Sequence, residues 1–271
     1  MSIAKLLAGK MSYTYLKDAK KIICIGRNYA AHIKELNNAT PKQPFFFLKP
    51  MSSVVTPVDE KHAIKELPKQ ASYHGLNDDG TNPGTIQIPK GTVVHHEIEV
   101  ALVMDKYISN ASESEFTAAD VYDSIRGVAL ALDLTARNVQ DEAKKKGLPW
   151  SIGKGFDTFL PMSHMIPKTQ FEANKENLQE AFRVTCDVNG TRRQDGNTNL
   201  MLYPLHKIIQ HISTMMTLEP GDIILTGTPA GVGPIAAGDN ISGQLYYTDD
   251  LLIDFNFDCV VRPGPYEYKE T

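Results

Sequence analysis

The chain has 271 residues, 42% of them hydrophobic and 22% charged, enough apolar side chain to fill the core of one large or two modest domains. Its 28 Lys and Arg against 32 Asp and Glu give a formal charge of -4, which leaves no basic surplus and excludes nucleic acid as the expected partner. No apolar run approaches the ~20 residues of a membrane span, so a soluble chain with no membrane partner is expected.

Cys24, Cys186 and Cys259 lie far apart without a Cys-x-x-Cys pair. That spacing fits buried thiols in a reducing compartment rather than a disulfide or zinc-ribbon scaffold. The first 21 residues carry Lys5, Lys10, Lys17, Lys20 and Lys21, with only Asp18 acidic. They read equally as a short mitochondrial presequence and as a frayed basic terminus, because Arg is absent and Ile3, Leu6 and Leu7 make a weak amphipathic face.

In chain order, residues 21–26 read as a first strand, 28–37 as a short helix, and 45–50 as a second strand stopped by Pro50. Residues 59–91 are poor in apolar groups and contain Gly75, Asp78, Asp79, Gly80, Pro83 and Gly84, the composition of a long irregular excursion or lid. A strand follows at 94–104, then a helix beginning near Thr117, which caps it, with Asp120 in its first turn. Residues 127–132 form a strongly apolar strand ending on Asp133, residues 134–146 a helix, and Gly147, Pro149 and Gly153 break the chain before Lys154.

A hairpin is expected at 182–191 around Asn189-Gly190, an amphipathic helix at 205–216, a buried strand at 223–226 and a Gly-rich loop at 227–233. Many short strands and few helices, without βαβ alternation, predict an α+β, β-rich fold. With no repeat or linker, the economical division is an N-terminal extension at 1–20 and a single domain at 21–271.

The run His95-His96-Glu97-Ile98-Glu99-Val100 carries the strongest chemical signal. Side chains alternate along a strand, so Glu97 and Glu99 point into one small volume within an apolar segment. Two such carboxylates repel, and either a bound divalent cation or a proton held with a raised pKa relieves them. The competing reading is an exposed edge strand with two solvated acids.

Asp133 ends an apolar strand, where an acid is costly unless paired or bound to a cation. Alone it reads equally as a cation ligand and as a structural acid, an N-cap of the next helix or a partner for Arg137. Together, Glu97, Glu99 and Asp133 offer hard oxygen ligands that point to magnesium or manganese rather than zinc.

His32 and Glu35, three apart on one helix face, form either a proton-handling dyad or an ordinary surface contact. Lys154, between Gly153 and Gly155, is a loop lysine or a partner for a substrate carboxylate or developing enolate. Thr228 is a tight-turn residue or an anion-binding hydroxyl and N–H. A zincin is excluded because Val100 stands where the second histidine would be, and neither a Gly-x-Ser-x-Gly elbow nor a Gly-Lys-Ser/Thr phosphate loop occurs.

Several ordered motifs resemble the fumarylacetoacetate hydrolase family, above all its small single-domain eukaryotic branch of acylpyruvate hydrolases, oxaloacetate decarboxylases and oxaloacetate tautomerases. They are Gly26-Arg27-Asn28-Tyr29 followed by His32, Phe47-Leu48-Lys49-Pro50, His96-Glu97-Ile98-Glu99, and Leu132-Asp133-Leu134-Thr135-Ala136-Arg137-Asn138-Val139-Gln140. Lys144-Lys145-Lys146-Gly147-Leu148-Pro149-Trp150 and Gly221-Asp222-Ile223-Ile224-Leu225-Thr226-Gly227-Thr228-Pro229 complete the set.

The resemblance implies a mixed β-sandwich roll with a few peripheral helices, usually a homodimer, with Mg2+ or Mn2+ held by Glu97, Glu99 and Asp133. Ca2+ is a stand-in that a crystal would accept. It further implies His32 with Glu35 as the catalytic dyad, Lys154 as a third catalytic residue, and Gln140 and Thr228 as substrate-binding residues. Arg27 and Lys49 match motifs without an assigned role.

The function expected is a metal-dependent enzyme of small 2-oxo acids working through a metal-stabilised enolate, with oxaloacetate keto–enol tautomerisation first. Acylpyruvate hydrolysis and oxaloacetate decarboxylation are the alternatives, and a non-catalytic metal-binding assembly module is the rival of another class. The basic start and the placement of similar eukaryotic proteins favour the mitochondrion over the cytoplasm.

Overall fold

A computed structural model describes residues 12–58 and 75–270. Most of the basic start, 1–11, and the first half of the expected excursion, 59–74, lie outside the described residues.

The apolar strand Ile22–Gly26 lies inside a six-stranded mixed sheet, parallel to Ile223–Leu225 and antiparallel to Phe45–Lys49. Beyond Ile223–Leu225 follow Ile98–Met104, Ile125–Leu132 and Ile166–Pro167, each antiparallel to its neighbour. Every residue of Ile98–Met104 is buried, so this strand is covered on both faces, as its continuous apolar sequence requires.

Its alternate residues sort into two cores. Ile98, Val100 and Leu102 meet Val184, Cys186, Leu245, Ile253 and Phe255 of a second sheet. That sheet runs in the order Thr191–Asn197, Phe182–Val188, Asn240–Tyr247, Asp250–Val261, Ile86–Ile88. On the other face Ala101, Val103, Ala129 and Ala131 pack under Tyr15, Leu16, Val54, Leu160 and Met162. The small alanines let that cover approach the sheet. The result is the β-rich α+β arrangement expected, with all three cysteines buried and free.

The strand expected at 94–104 is two strands, Val94–His96 and Ile98–Met104, and Glu97 is the residue between them. Val94–His96 leaves the large sheet and lies between Gly233–Ile235 and Thr135–Ala136. Because Thr135 and Ala136 are spent on that pairing, the helix expected from 134 begins later and runs Arg137–Lys146. Its last turn carries Lys144, Lys145 and Lys146, favourable at the negative end of the helix dipole, and Gly147 takes the left-handed stop at φ 68°.

The other helices shorten to Ala30–Glu35 and Leu205–Ser213. Lys154 is not a loop residue: it ends the one-turn helix Ser151–Lys154. The second half of the expected excursion contains the strand Ile86–Ile88, paired parallel to the end of Asp250–Val261. Asn189 and Gly190 both have positive φ, 51° and 72°, as a two-residue hairpin turn needs. The long antiparallel pair Asn240–Tyr247 and Asp250–Val261 falls where the sequence reading assigns no element.

Candidate active site

Antiparallel pairing sets the acids together. Glu99 lies opposite Ala131 and Ile98 opposite Leu132, and the ladder continues one step further: the Asp133 N–H donates to the Glu97 carbonyl at 2.8 Å. Carboxylate oxygens of Glu97, Glu99 and Asp133 all fall within 4.8 Å of one another, and all three residues are buried. An exposed edge strand with solvated acids is therefore ruled out. Asp133 does not cap the next helix, whose N-cap is Ala136, and Arg137 pairs with Glu97 rather than with Asp133.

Three cations compensate this cluster. Lys154 donates to Asp133 Oδ2 at 2.7 Å and Glu97 Oε2 at 3.0 Å. Arg137 reaches Glu97 Oε1 at 2.5 Å. Lys49 donates to the carbonyls of Leu134, Lys154 and Phe159, which uses its three hydrogens, while standing 2.9 Å from Asp133 Oδ1. Asp133 Oδ1 thus has charge beside it but no hydrogen donor among the described residues. Lys49, left without a role by its sequence, is a buried tie between Asp133 and two neighbouring loops.

The carboxyls of the two glutamates are shifted in opposite directions. Burial works to raise Glu97, but Lys154, Arg137 and His32 outweigh it and hold its carboxyl well below the usual range. Burial, then the charges of Asp133 and Glu97, push Glu99 well above its usual range, against one hydrogen bond from the Gly227 N–H at 2.7 Å. That N–H can come so close because residue 227 is glycine: a Cβ there would lie 2.7 Å from Asn28 Cβ, with φ at 102°. A hard oxygen set, a donor-free carboxylate oxygen and a second carboxyl destabilised by its neighbours together fit a divalent cation.

His32, Gln140, Thr228, Lys154 and the three acids line one cleft, with Phe47 and Trp150 among its walls. His32 is buried, and burial lowers its pKa first, so the imidazole is neutral near pH 7. Its Nδ1 lies 3.7 Å from Glu35 Oε2, too far for a hydrogen bond, and has no partner among the described residues. Glu35 is held instead by the Gly231 N–H at 3.1 and 3.2 Å. Gln140 Oε1 accepts from Arg137 at 2.8 Å. The Thr228 hydroxyl donates to the Ile98 carbonyl at 2.8 Å, so its proton is committed within the protein.

Gln194 escapes sequence reading. Its buried amide accepts from the Ile98 N–H at 3.1 Å and contacts His96 Nδ1 at 2.9 Å. It donates to Thr228 Oγ1 and the Pro229 carbonyl, each at 2.8 Å. One side chain so ties the strand break at Glu97 to the Gly-rich loop. The available signal was a glutamine at an inward position of the strand Thr191–Asn197, between exposed Arg193 and Asp195.

Residues 21–251 match the fumarylacetoacetate (FAA) hydrolase C-terminal family. The chain is 64% identical over 261 residues to the Saccharomyces cerevisiae protein named oxaloacetate tautomerase FMP41, mitochondrial, covering 96% of this chain and 100% of that protein. It is 39% identical to the Dictyostelium discoideum protein named oxaloacetate decarboxylase, mitochondrial, covering 92% of this chain and 97% of that one. The fold matches the crystal structure of yeast ynq8, a fumarylacetoacetate hydrolase family protein, with a TM-score of 0.87 and 62% identity over 96% of this chain and 100% of that chain.

Proposed function

The chain belongs to the fumarylacetoacetate hydrolase family, and on that premise we propose that it is a divalent-metal-dependent oxaloacetate keto–enol tautomerase of the mitochondrion. The observation that carries the reading is 64% identity across 96% of the chain to a mitochondrial protein of that name. Glu97, Glu99 and Asp133 would hold the cation, Mg2+ or Mn2+. When bound, it supplies Lewis-acid stabilisation of the negative charge that a 2-oxo acid develops on its keto oxygen as C3 loses a proton.

The protein's own groups do the rest. His32, neutral and with Nδ1 unpartnered, takes or returns the proton at C3. Lys154 adds positive charge beside the developing oxyanion, and Gln140 with Arg137 orients the substrate carboxylate. Phe47 and Trp150 keep water from the reacting carbon. Hydrolysis asks more, because a water must also be activated, and the 3.7 Å gap between His32 and Glu35 leaves that relay unassembled. The same reading includes a homodimer, for which exposed Leu148 and Ile152 offer an apolar face, and light scattering measures it.

Purified protein with Mg2+ is given enol-oxaloacetate and acetylpyruvate separately, following enol absorbance and pyruvate release. Accelerated ketonisation of oxaloacetate is expected. Pyruvate release from acetylpyruvate without it would overturn the reading in favour of acylpyruvate hydrolysis.

A further inference from the structure

Besides Lys154, three cationic side chains line the cleft. Arg137, Gln140 and Lys144 follow at positions i, i+3 and i+7 of the helix Arg137–Lys146, hence on one face, and all three line the cleft with Arg27. Arg137 is committed to Glu97 and Gln140. Arg27 and Lys144 are not so committed.

Arg27 has its guanidinium over the Phe45 ring at 5.5 Å, and Lys144 has its ammonium over Trp150 at 5.5 Å. Phe45 and Trp150 meet edge to face at 5.7 Å, so the two cations rest on adjoining rings of one aromatic shelf. Burial lowers Arg27, and among the described residues no carboxylate acts to raise it. Among the described residues Lys144 pairs only with Asp141, at 3.3 Å, an exposed pair three residues apart on a helix, which offsets little. Arg137 and Arg27 both repel it. Arg27 also sits at φ 56°, a left-handed conformation that a non-glycine residue adopts at a cost.

Like charges on adjoining rings of a cleft, one of them offset only by an exposed ion pair, are relieved by an anion. We propose that Arg27 and Lys144 bind the second carboxylate of a dianionic 2-oxo acid, so that the cleft selects substrates carrying an acid group at the end remote from the keto acid. This rests on the proposed function, in which the first carboxylate and its neighbouring oxygen lie at Glu97, Glu99 and Asp133. It separates oxaloacetate, which has such a group, from acetylpyruvate and other acylpyruvates whose acyl chain ends neutral.

Malate and lactate test it without turnover, since both are 2-hydroxy acids and differ by that carboxylate. Oxalate, which can reach only the metal end, is the control. Calorimetric titration of the Mg2+-loaded protein is expected to show malate bound at least about ten-fold tighter than lactate. Arg27→Met and Lys144→Met each reduce that preference by about five-fold or more, with oxalate affinity within about two-fold of wild type.

Equal binding of malate and lactate by the wild type, or an undiminished preference in both variants, overturns the inference and leaves the proposed function standing. Failure of the wild type to bind oxalate overturns the proposed function, and this inference with it. If Arg27→Met also loses oxalate, Lys144→Met decides, because its half-exposed helix position spares the fold.

Discussion

Lys154 Nζ lies 2.7 Å from Asp133 Oδ2, with both side chains buried. The lysine therefore neutralises part of the same charge that a divalent cation would. Burial alone would lower its pKa, but Asp133 and Glu97 together raise it, so the ammonium stays charged.

Removing it leaves buried acids under-compensated. Lys154→Met is expected to lose about 3–5 kcal/mol of stability in metal-free protein, because breaking a buried ion pair strands its partners. Thermal denaturation should show Mg2+ raising the variant's melting temperature by more than the wild type's. Ketonisation should fall at least about ten-fold, some 1.4 kcal/mol of barrier. Equal gains from Mg2+ in the two proteins would show that lysine and metal do not share that charge.

His32 gives the opposite stability result. Its Nδ1 makes no hydrogen bond, so His32→Leu removes an unsatisfied buried nitrogen and is expected to hold stability within about 1 kcal/mol of wild type. Ketonisation should fall by about a hundred-fold or more, the usual scale of a positioned proton-transfer group. Unaltered ketonisation in a folded variant would remove His32 from the reaction.

His164 sets an acid limit on stability. Burial lowers its pKa from 6.5 to about 4, and its ring packs edge-on to Tyr13 at 6.3 Å. The unfolded chain therefore takes this proton first as pH falls. The neutral imidazole's contribution is complete above pH 6.5 and drains away toward pH 4. Between pH 7 and pH 5 this one group should cost roughly 2 kcal/mol. Denaturant melts of His164→Phe should lose correspondingly less over that interval, and equal losses would rule the group out.

Much of the site was legible because it rests on local patterns. Glu97 and Glu99 two apart in an apolar run, and Asp133 closing another, announce an acid cluster before any contact is known. The rest depends on long-range pairing. The break at Glu97 exists because Val94–His96 joins Gly233–Ile235, some 140 residues on, and no local propensity encodes that choice.

The same crossing shortens the helix that begins at Arg137 and dismisses Asp133 as its cap. Lys49 and Gln194 were opaque for a related reason: their partners, Asp133 and the carbonyls of Leu134 and Phe159 for one, Ile98 and Thr228 for the other, are brought near only by the assembled sheets. Lys154 looked like a loop residue between two glycines. Tertiary packing makes those residues a helical turn and aims the lysine inward.

The central claim is that three buried acids gather a hard cation. Calorimetric titration of the chelator-stripped protein with Mg2+ and Mn2+ tests it most directly. One ion should bind per chain, and Asp133→Asn should weaken binding by more than about 100-fold, beyond what loss of a merely supporting contact costs. No uptake by the wild type, undiminished uptake by Asp133→Asn, or turnover that persists in the absence of both metals would contradict the account.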